Sequence, residues 1–194
     1  MVAILFAAFS LIFFFIYRKM NLFEDDTDKK DGHFVKSPIN GKVVSIYHNV
    51  DHKIFGDGLL EVGLIIPHFY EMGLYLPFSA EIESIKRLPS RKFFRYKKRR
   101  RLDQKIEVYG GENIIFFNKR ENFLGLQMIK CFLGLSPKIW VMPGDMGRVG
   151  ARFGQFPLGG SVLCYLSQNY ELMVKKGDSL RAGKTILAKE KIEN

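Results

Sequence analysis

The chain has 194 residues, of which 47% are hydrophobic, 26% are charged and 14% are aromatic. This length suits one ordinary domain, and the composition excludes a disordered chain, a collagen-like repeat and a disulfide scaffold. The formal net charge of +10 is concentrated, because residues 86–101 contain ten Lys or Arg residues and no acid. The rest of the protein is neutral, so we expect one basic patch and no chain-wide polyanion-binding surface. The spacing of Cys131 and Cys164 suggests no disulfide.

The first 17 residues, MVAILFAAFSLIFFFIY, carry no charged side chain. As a helix they would span about 25 Å, at the short end of what crosses a hydrocarbon core of about 30 Å. Arg18 and Lys19 follow the apolar run, whereas a cleaved signal peptide carries basic residues before it. We expect residues 1–20 to be an uncleaved anchor, spanning or interfacial, with the following domain on the cytoplasmic side. A signal peptide, a core helix and a re-entrant segment are the alternatives.

After a polar linker, residues 21–36, short strands punctuated by Gly, Pro, Asn and Asp predict a mainly β domain over residues 37–194. The predicted strands are 41–47, 59–66, 80–85, 105–109, 113–117, 140–142 and 161–166, and residues 121–133 are ambiguous between a strand and a short helix.

Two glycine-containing segments indicate the type of β domain. Residues 174–188 contain a Gly-Asp turn, a hydrophobic residue and a second glycine before a strand, and residues 142–153 repeat this form loosely. Two such units are typical of a barrel-sandwich hybrid, the architecture of biotinyl and lipoyl modules, in which glycines serve turns that require positive φ. Two unrelated hairpin turns are the alternative. Lys184 lacks the setting of a biotinyl or lipoyl lysine, so we expect no carrier function.

Three segments, in order, resemble the phosphatidylserine decarboxylase family. Residues 37–44 (SPINGKVV) resemble its SPADGKVV opening, and residues 64–85 (LIIPHFYEMGLYLPFSAEIESI) resemble IFMSPLDVHVNRAPVSGVVESV. Residues 153–166 (FGQFPLGGSVLCYL) resemble the processing segment GRFKLGSTVINLF. The resemblance covers roughly residues 37–189, and it implies a barrel-sandwich-hybrid-like β domain that serves phospholipid metabolism at a membrane.

The resemblance also implies a specific chemistry. A precursor of this family cuts itself at a Gly-Ser bond, and the serine becomes a pyruvoyl group whose ketone forms a Schiff base with phosphatidylserine. In this family, an aspartate and a histidine assist the self-cleavage. Without gaps, the aspartate, histidine and serine positions are Asn40, Met72 and Gly160. An amide is no carboxylate base, a thioether transfers no proton and glycine has no hydroxyl, so all three positions are degenerate.

Two hypotheses follow for the activity. In the first, the protein does not self-process, needs no cofactor and acts as a lipid- or partner-binding pseudoenzyme, with an intact homologue among its candidate partners. In the second, it is an active carboxy-lyase that makes phosphatidylethanolamine, and Ser161 is a displaced pyruvoyl precursor. A shift of one residue along a strand moves a side chain to the opposite face, which disfavours Ser161. His68 is too distant along an extended chain to replace Met72.

The basic patch follows a predicted strand and interleaves aromatic residues with cations. Next to a membrane anchor, this pattern favours contact with anionic phospholipid. The candidate lipid-surface residues are Arg91, Lys92, Phe93, Phe94, Arg95, Lys97, Lys98, Arg99, Arg100 and Arg101. A solvated loop is the first alternative, and nucleic acid, for which no RNP, KH or helix-turn-helix pattern argues, is the second. His48 and His52 have no completing ligand set, so we predict no metal site.

Overall fold

The structure is a computed structural model, and it describes residues 34–67, 70–87, 112–117, 123–130 and 135–191, together with residues 10, 11 and 14. The architecture of these residues is mainly β, as the sequence predicts. The described strands are β1 (Phe34–Lys36), β2 (Gly41–His52), β3 (Gly56–Ile65), β4 (Gly73–Tyr75), β5 (Ala80–Arg87), β6 (Glu112–Phe117), β7 (Phe123–Lys130), β8 (Lys138–Ile139), β9 (Met146–Gly147), β10 (Arg152–Gln155), β11 (Gly160–Leu166), β12 (Tyr170–Leu172), β13 (Ser179–Leu180) and β14 (Ile186–Glu190).

The strands pair into one large sheet and two small ones. The large sheet has the order β13-β2-β3-β11-β7-β6-β5-β9 and curls into a half-barrel. The small sheets have the orders β1-β14-β12 and β4-β10-β8. All described pairings are antiparallel, so each strand presents alternate side chains to opposite faces of its sheet.

Both faces of the central strands are buried, and this explains their nearly continuous hydrophobic sequences. On one face, Val62, Val162 and Cys164 belong to the main core, which also receives side chains from the two small sheets. On the other face, Leu163 and Tyr165 pack with residues of the β2–β3 hairpin in a smaller second core. Burial raises the pKa of the Cys164 thiol, which is a structural core group.

Most sequence-predicted strands are confirmed, and residues 121–133 contain strand β7 and no described helix. The prediction of a strand at 140–142 is wrong, because the strand there is β8 and ends at Ile139. The Trp140 N–H still donates to the Phe153 carbonyl, at 3.0 Å, but Met142 already belongs to a turn closed by Asp145. The predicted strand at 105–109 lies outside the described residues.

The predicted anchor, residues 1–20, lies outside the described residues except for Ser10, Leu11 and Phe14, which are helical. In the part of the chain that the structure describes, no helix has the length and apolar character needed to cross a membrane. The basic patch, residues 91–101, also lies outside the described residues.

The two Gly-Asp segments form the same hydrogen-bonded turn. Asp145 Oδ2 accepts the Met142 N–H at 2.7 Å, and Asp178 Oδ2 accepts the Lys175 N–H at 2.8 Å. The glycines before these aspartates have φ of 92° and 99°, and each donates its N–H to a strand carbonyl at 2.8 Å. The second glycines, at positions 150 and 183, also have positive φ. The predicted use of glycine at positive φ is confirmed, and the two turns share their hydrogen bonds.

Candidate functional site

Three segments that are distant in the sequence converge around Glu71. Asn40, in the turn before β2, donates from Nδ2 to Glu71 Oε2 at 2.8 Å. Met72 follows Glu71, and its Sδ accepts the Leu158 N–H at 3.0 Å, in the turn that leads into β11. The structure therefore brings the sequence-predicted positions Asn40 and Met72, together with the turn before Gly160, into one locality.

The Glu71 carboxylate is the polar centre of this locality, and its side chain is only 8% exposed. Besides Asn40, it accepts the Gly73 N–H at 2.9 Å and the Tyr75 hydroxyl at 3.1 Å. A guanidinium nitrogen of Arg152 lies 3.8 Å from Oε1. A Cβ at Gly73 would collide with the carboxylate and the Tyr75 ring, so glycine permits their close approach. These four polar partners are all hydrogen-bond donors or cations, which suit a carboxylate acceptor.

Asn40 uses both ends of its amide. Its Oδ1 accepts the Ala182 N–H at 3.0 Å, beside the second glycine of its Gly-Asp unit. In the other unit, Ser79 Oγ accepts the N–H of the equivalent residue, Val149, at 3.1 Å. Asn40 and Ser79 therefore accept equivalent backbone N–H groups in the two Gly-Asp units, so the acceptor role of Asn40 is structural. Its donor role toward Glu71 needs an amide, because an aspartate there would face a second carboxylate with no proton to donate.

Met72 acts as a buried hydrogen-bond acceptor in the same locality. Its side chain is buried in the main core, and its carbonyl accepts the Phe156 N–H at 2.8 Å. Leu158 and Gly159 have φ of 62° and 70°, so the chain turns sharply as it enters β11. The thioether and the carbonyl of Met72 thus fix both ends of a tight turn, and neither group exchanges a proton.

Gly160 and Ser161 lie on opposite faces of β11. A Cβ at Gly160 would lie 2.5 Å from the Phe156 ring, in the same core as Met72, and 2.6 Å from the Ile129 carbonyl oxygen. Ser161 pairs with Ile129 and alternates in phase with Leu163, which belongs to the second core. The Gly160 carbonyl accepts the Ile66 N–H at 2.9 Å. The face of β11 toward Met72 therefore carries no hydroxyl at either position.

The remaining sequence-predicted candidates lie elsewhere. The lipid-surface residues, 91–95 and 97–101, and His68 fall outside the described residues. His52 is buried in the second core, where its ring stacks on Phe55 with centroids 4.4 Å apart. Its Nδ1 accepts the Ile54 and Phe55 N–H groups at 3.2 and 3.3 Å. Across the described residues, no three His, Cys, Asp or Glu side chains gather as metal ligands.

The environment of His52 predicts a pH-dependent stability. Burial lowers the pKa of His52 below its ordinary value of 6.5. The unfolded chain binds the proton near that ordinary value and the folded chain only at lower pH, so stability falls as pH drops from about 6.5 through the folded pKa. Urea unfolding across this range should show the loss in the native protein and a smaller one in His52→Asn. The exposed His48→Gln is the control, and equal pH slopes in native protein and His52→Asn would contradict the assignment.

Sequence reasoning missed Glu71, Tyr75 and Arg152. In the gap-free match, Glu71 stands at the valine of LDVHV, one residue before the histidine position. A charged residue in place of an aliphatic one inside this motif was the sequence signal that could have indicated Glu71 as a site residue. Nothing in the sequence indicates that Arg152, eighty-one positions later (152 minus 71), contacts the same carboxylate.

Comparison with known proteins gives one substantial similarity. The chain is 24% identical, over 207 aligned positions, to a protein of Methanocaldococcus jannaschii named "Putative archaetidylserine decarboxylase proenzyme". The alignment covers 97% of this chain and 95% of that protein. No family model matches the chain, and no solved structure matches it. The chain is thus similar over nearly its whole length to a protein named as the precursor of a lipid decarboxylase.

Proposed function

We propose that this protein is a member of the phosphatidylserine decarboxylase family that remains uncleaved and binds a lipid or a protein partner in phospholipid metabolism. Full-length similarity to a decarboxylase proenzyme and three ordered motifs support the family. The two equivalent Gly-Asp turns support a barrel-sandwich hybrid over residues 37–194. The predicted linker at 21–36 is wrong at its end, because residues 34–36 form β1 and pair with β14. The proposal includes an anchor at residues 1–20, a linker at 21–33, the domain on the cytoplasmic side, and lipid contact by the patch at 91–101.

The observation that carries the proposal is the absence of a hydroxyl on the face of β11 that points toward Met72. Gly160 occupies that face, and Ser161 points to the second core. To exchange them, β11 would have to slip by one residue between β3 and β7, which would place its core side chains on the wrong faces. A chain that forms no pyruvoyl group has no electron sink for decarboxylation.

The side chains around Glu71 suit a serine phospholipid headgroup. Such a headgroup carries an ammonium, a carboxylate and a phosphate. Arg152 could pair with either anionic group, and Glu71 with the ammonium. The two side chains already face each other at 3.8 Å, so a zwitterionic headgroup would exchange one ion pair for two. We therefore propose this cluster as the headgroup-binding site of the uncleaved protein.

A second candidate is an active decarboxylase that carries its pyruvoyl group at Ser161. Two observations favour it: Gly160-Ser161 is a Gly-Ser bond at the start of β11, and the relative is named as a proenzyme. This candidate requires processing without a carboxylate at 40 or an imidazole at 72. It also requires a reactive ketone on the second-core face, away from Asn40 and Met72.

The two candidates predict different intact masses for the full-length protein. We expect one unbroken chain both in the native protein and in Ser161→Ala, because Gly160 has no hydroxyl and the Ser161 hydroxyl points away from Met72. Intact-mass analysis of both samples, purified side by side, is the measurement. A break before Ser161 in the native protein alone, with a pyruvoyl-blocked fragment of residues 161–194, would refute the uncleaved form and establish the active one.

A further inference from the structure

Residues 140–146, which are the loop after β8 and the first residue of β9, expose three large apolar side chains. Trp140 is 55% exposed, Met142 63% and Met146 69%. We propose that this loop, residues 140–146, is a membrane-contacting surface that inserts these side chains into a bilayer containing anionic lipid. The proposal deepens the proposed function, because it concerns how the Glu71 site would meet a lipid.

The equivalent turn elsewhere in the chain shows that the fold does not need these methionines. Met142 and Met146 correspond to Lys175 and Ser179, which are also exposed. Both turns have the same aspartate hydrogen bonds and a glycine with positive φ, and both pair with a strand of the large sheet. The same backbone therefore accommodates lysine and serine at these positions. Exposed apolar side chains that the turn does not require indicate an external contact.

An exposed tryptophan with cations on both sides of it in the sequence favours a lipid surface as the occupant of the loop. Lys138 and Arg148 flank the apolar residues and are exposed. The carboxylate of Asp145 accepts the Met142 N–H, so one of its oxygens is hydrogen-bonded within the turn. Glu81, which pairs with Met146, and Glu83 are exposed acids on the adjacent strand β5. Tryptophan between cations is favoured where acyl chains meet anionic headgroups, and flexible methionine side chains adapt to a fluid surface.

Arg152 connects the loop to the candidate site. Its guanidinium lies 5.3 Å from the centroid of the Trp140 ring, a cation–π distance, and 3.8 Å from Glu71. Insertion of Trp140 into the interfacial layer would therefore place the Glu71 carboxylate near the depth of the lipid headgroups. A headgroup could then reach Arg152 without leaving the bilayer.

The sequence provides a direct probe, because Trp140 is the only tryptophan. The full-length protein would be reconstituted into phosphatidylcholine vesicles with and without phosphatidylglycerol. With phosphatidylglycerol present, we expect Trp140 emission to shift to shorter wavelength, acrylamide quenching to fall, and brominated acyl chains to quench the emission. The N-terminal segment contains no tryptophan, so its own membrane attachment does not contribute to the signal.

Two matched double variants make the test specific. Met142→Lys with Met146→Ser copies the polar turn, and it should abolish the blue shift and the bromine quenching while the protein stays folded. Lys175→Met with Ser179→Met alters the equivalent turn, and it should leave the Trp140 signal unchanged.

Two results would overturn the proposal. One is a Trp140 that stays open to acrylamide and unquenched by brominated lipid in both kinds of vesicle. The other is a Trp140 that is shielded from acrylamide but not quenched by brominated lipid, since a protein partner or a second copy would then cover the loop. Intact mass reports separately on the proposed function, so a cleaved protein with an inserted Trp140 would refute only that function.

Discussion

Replacing Asn40 by Asp should destabilise the folded protein by about 2 kcal/mol, because it turns a hydrogen bond to a charged group into a contact between two carboxylates. The Asn40 Nδ2–Glu71 Oε2 distance is 2.8 Å, and both side chains are largely buried. The acceptor role toward Ala182 survives in the variant, so the loss is assigned to the Glu71 side. The variant also tests whether the aspartate of the similar motif is compatible with this site.

A second variant provides the rescue. In Asn40→Asp with Glu71→Gln, the donor and acceptor exchange places, because the amide introduced at position 71 can donate to the carboxylate introduced at position 40. The carbonyl oxygen of the new glutamine still accepts from Gly73 and Tyr75. We expect the double variant to recover most of the lost stability, with a coupling of about 1.5–3 kcal/mol in the double-mutant cycle. Urea unfolding of the four proteins gives this value.

A third variant controls for the structural role of position 40. Asn40→Ser copies the equivalent residue, Ser79, so it retains an acceptor for the Ala182 N–H and removes the donor to Glu71. Its loss should be smaller than that of Asn40→Asp, because it adds no second charge. Additive single effects in the cycle would show that Asn40 and Glu71 do not interact as described.

Replacing Gly160 by Ser, the residue that the similar motif has at this position, should destabilise the protein by about 1–3 kcal/mol and yield no cleavage. The new Cβ would lie 2.5 Å from the Phe156 ring and 2.6 Å from the Ile129 carbonyl oxygen. The ring can shift, but the carbonyl belongs to β7, whose position is fixed by the ladder with β11. The new hydroxyl would face Met72, which cannot accept and return its proton.

Two measurements check this prediction. Urea unfolding gives the loss of stability, and Gly160→Ser with Phe156→Leu should recover part of it by relieving the ring contact. Intact mass of Gly160→Ser reports cleavage. A broken chain with a pyruvoyl-blocked fragment of residues 160–194 would show that a serine here can be processed without the family's aspartate and histidine. That result would contradict our account of Asn40 and Met72.

Local sequence pattern was sufficient for most of the long strands of the large sheet, but not for the two small sheets or the strand order. The runs at 41–47, 59–66 and 161–166 predicted buried strands, because short runs of β-branched and aliphatic residues between turn residues favour β-strands. The Gly-Asp turns were also readable, since positive φ is a local requirement that glycine meets. The prediction failed at 140–142, where three apolar residues suggested a strand. Exposure of Trp140 and Met142 depends on which surface the turn presents, and no local pattern encodes it.

The sequence by itself determined which chemical groups stand at positions 40, 72 and 160, because residue identity alone decides whether a base, an imidazole or a hydroxyl is present. Only the tertiary structure decided that Glu71 joins Asn40 to Arg152 and that Ser161 faces away from Met72. These facts depend on strand register and on contacts between residues far apart in the chain, which many positions establish together.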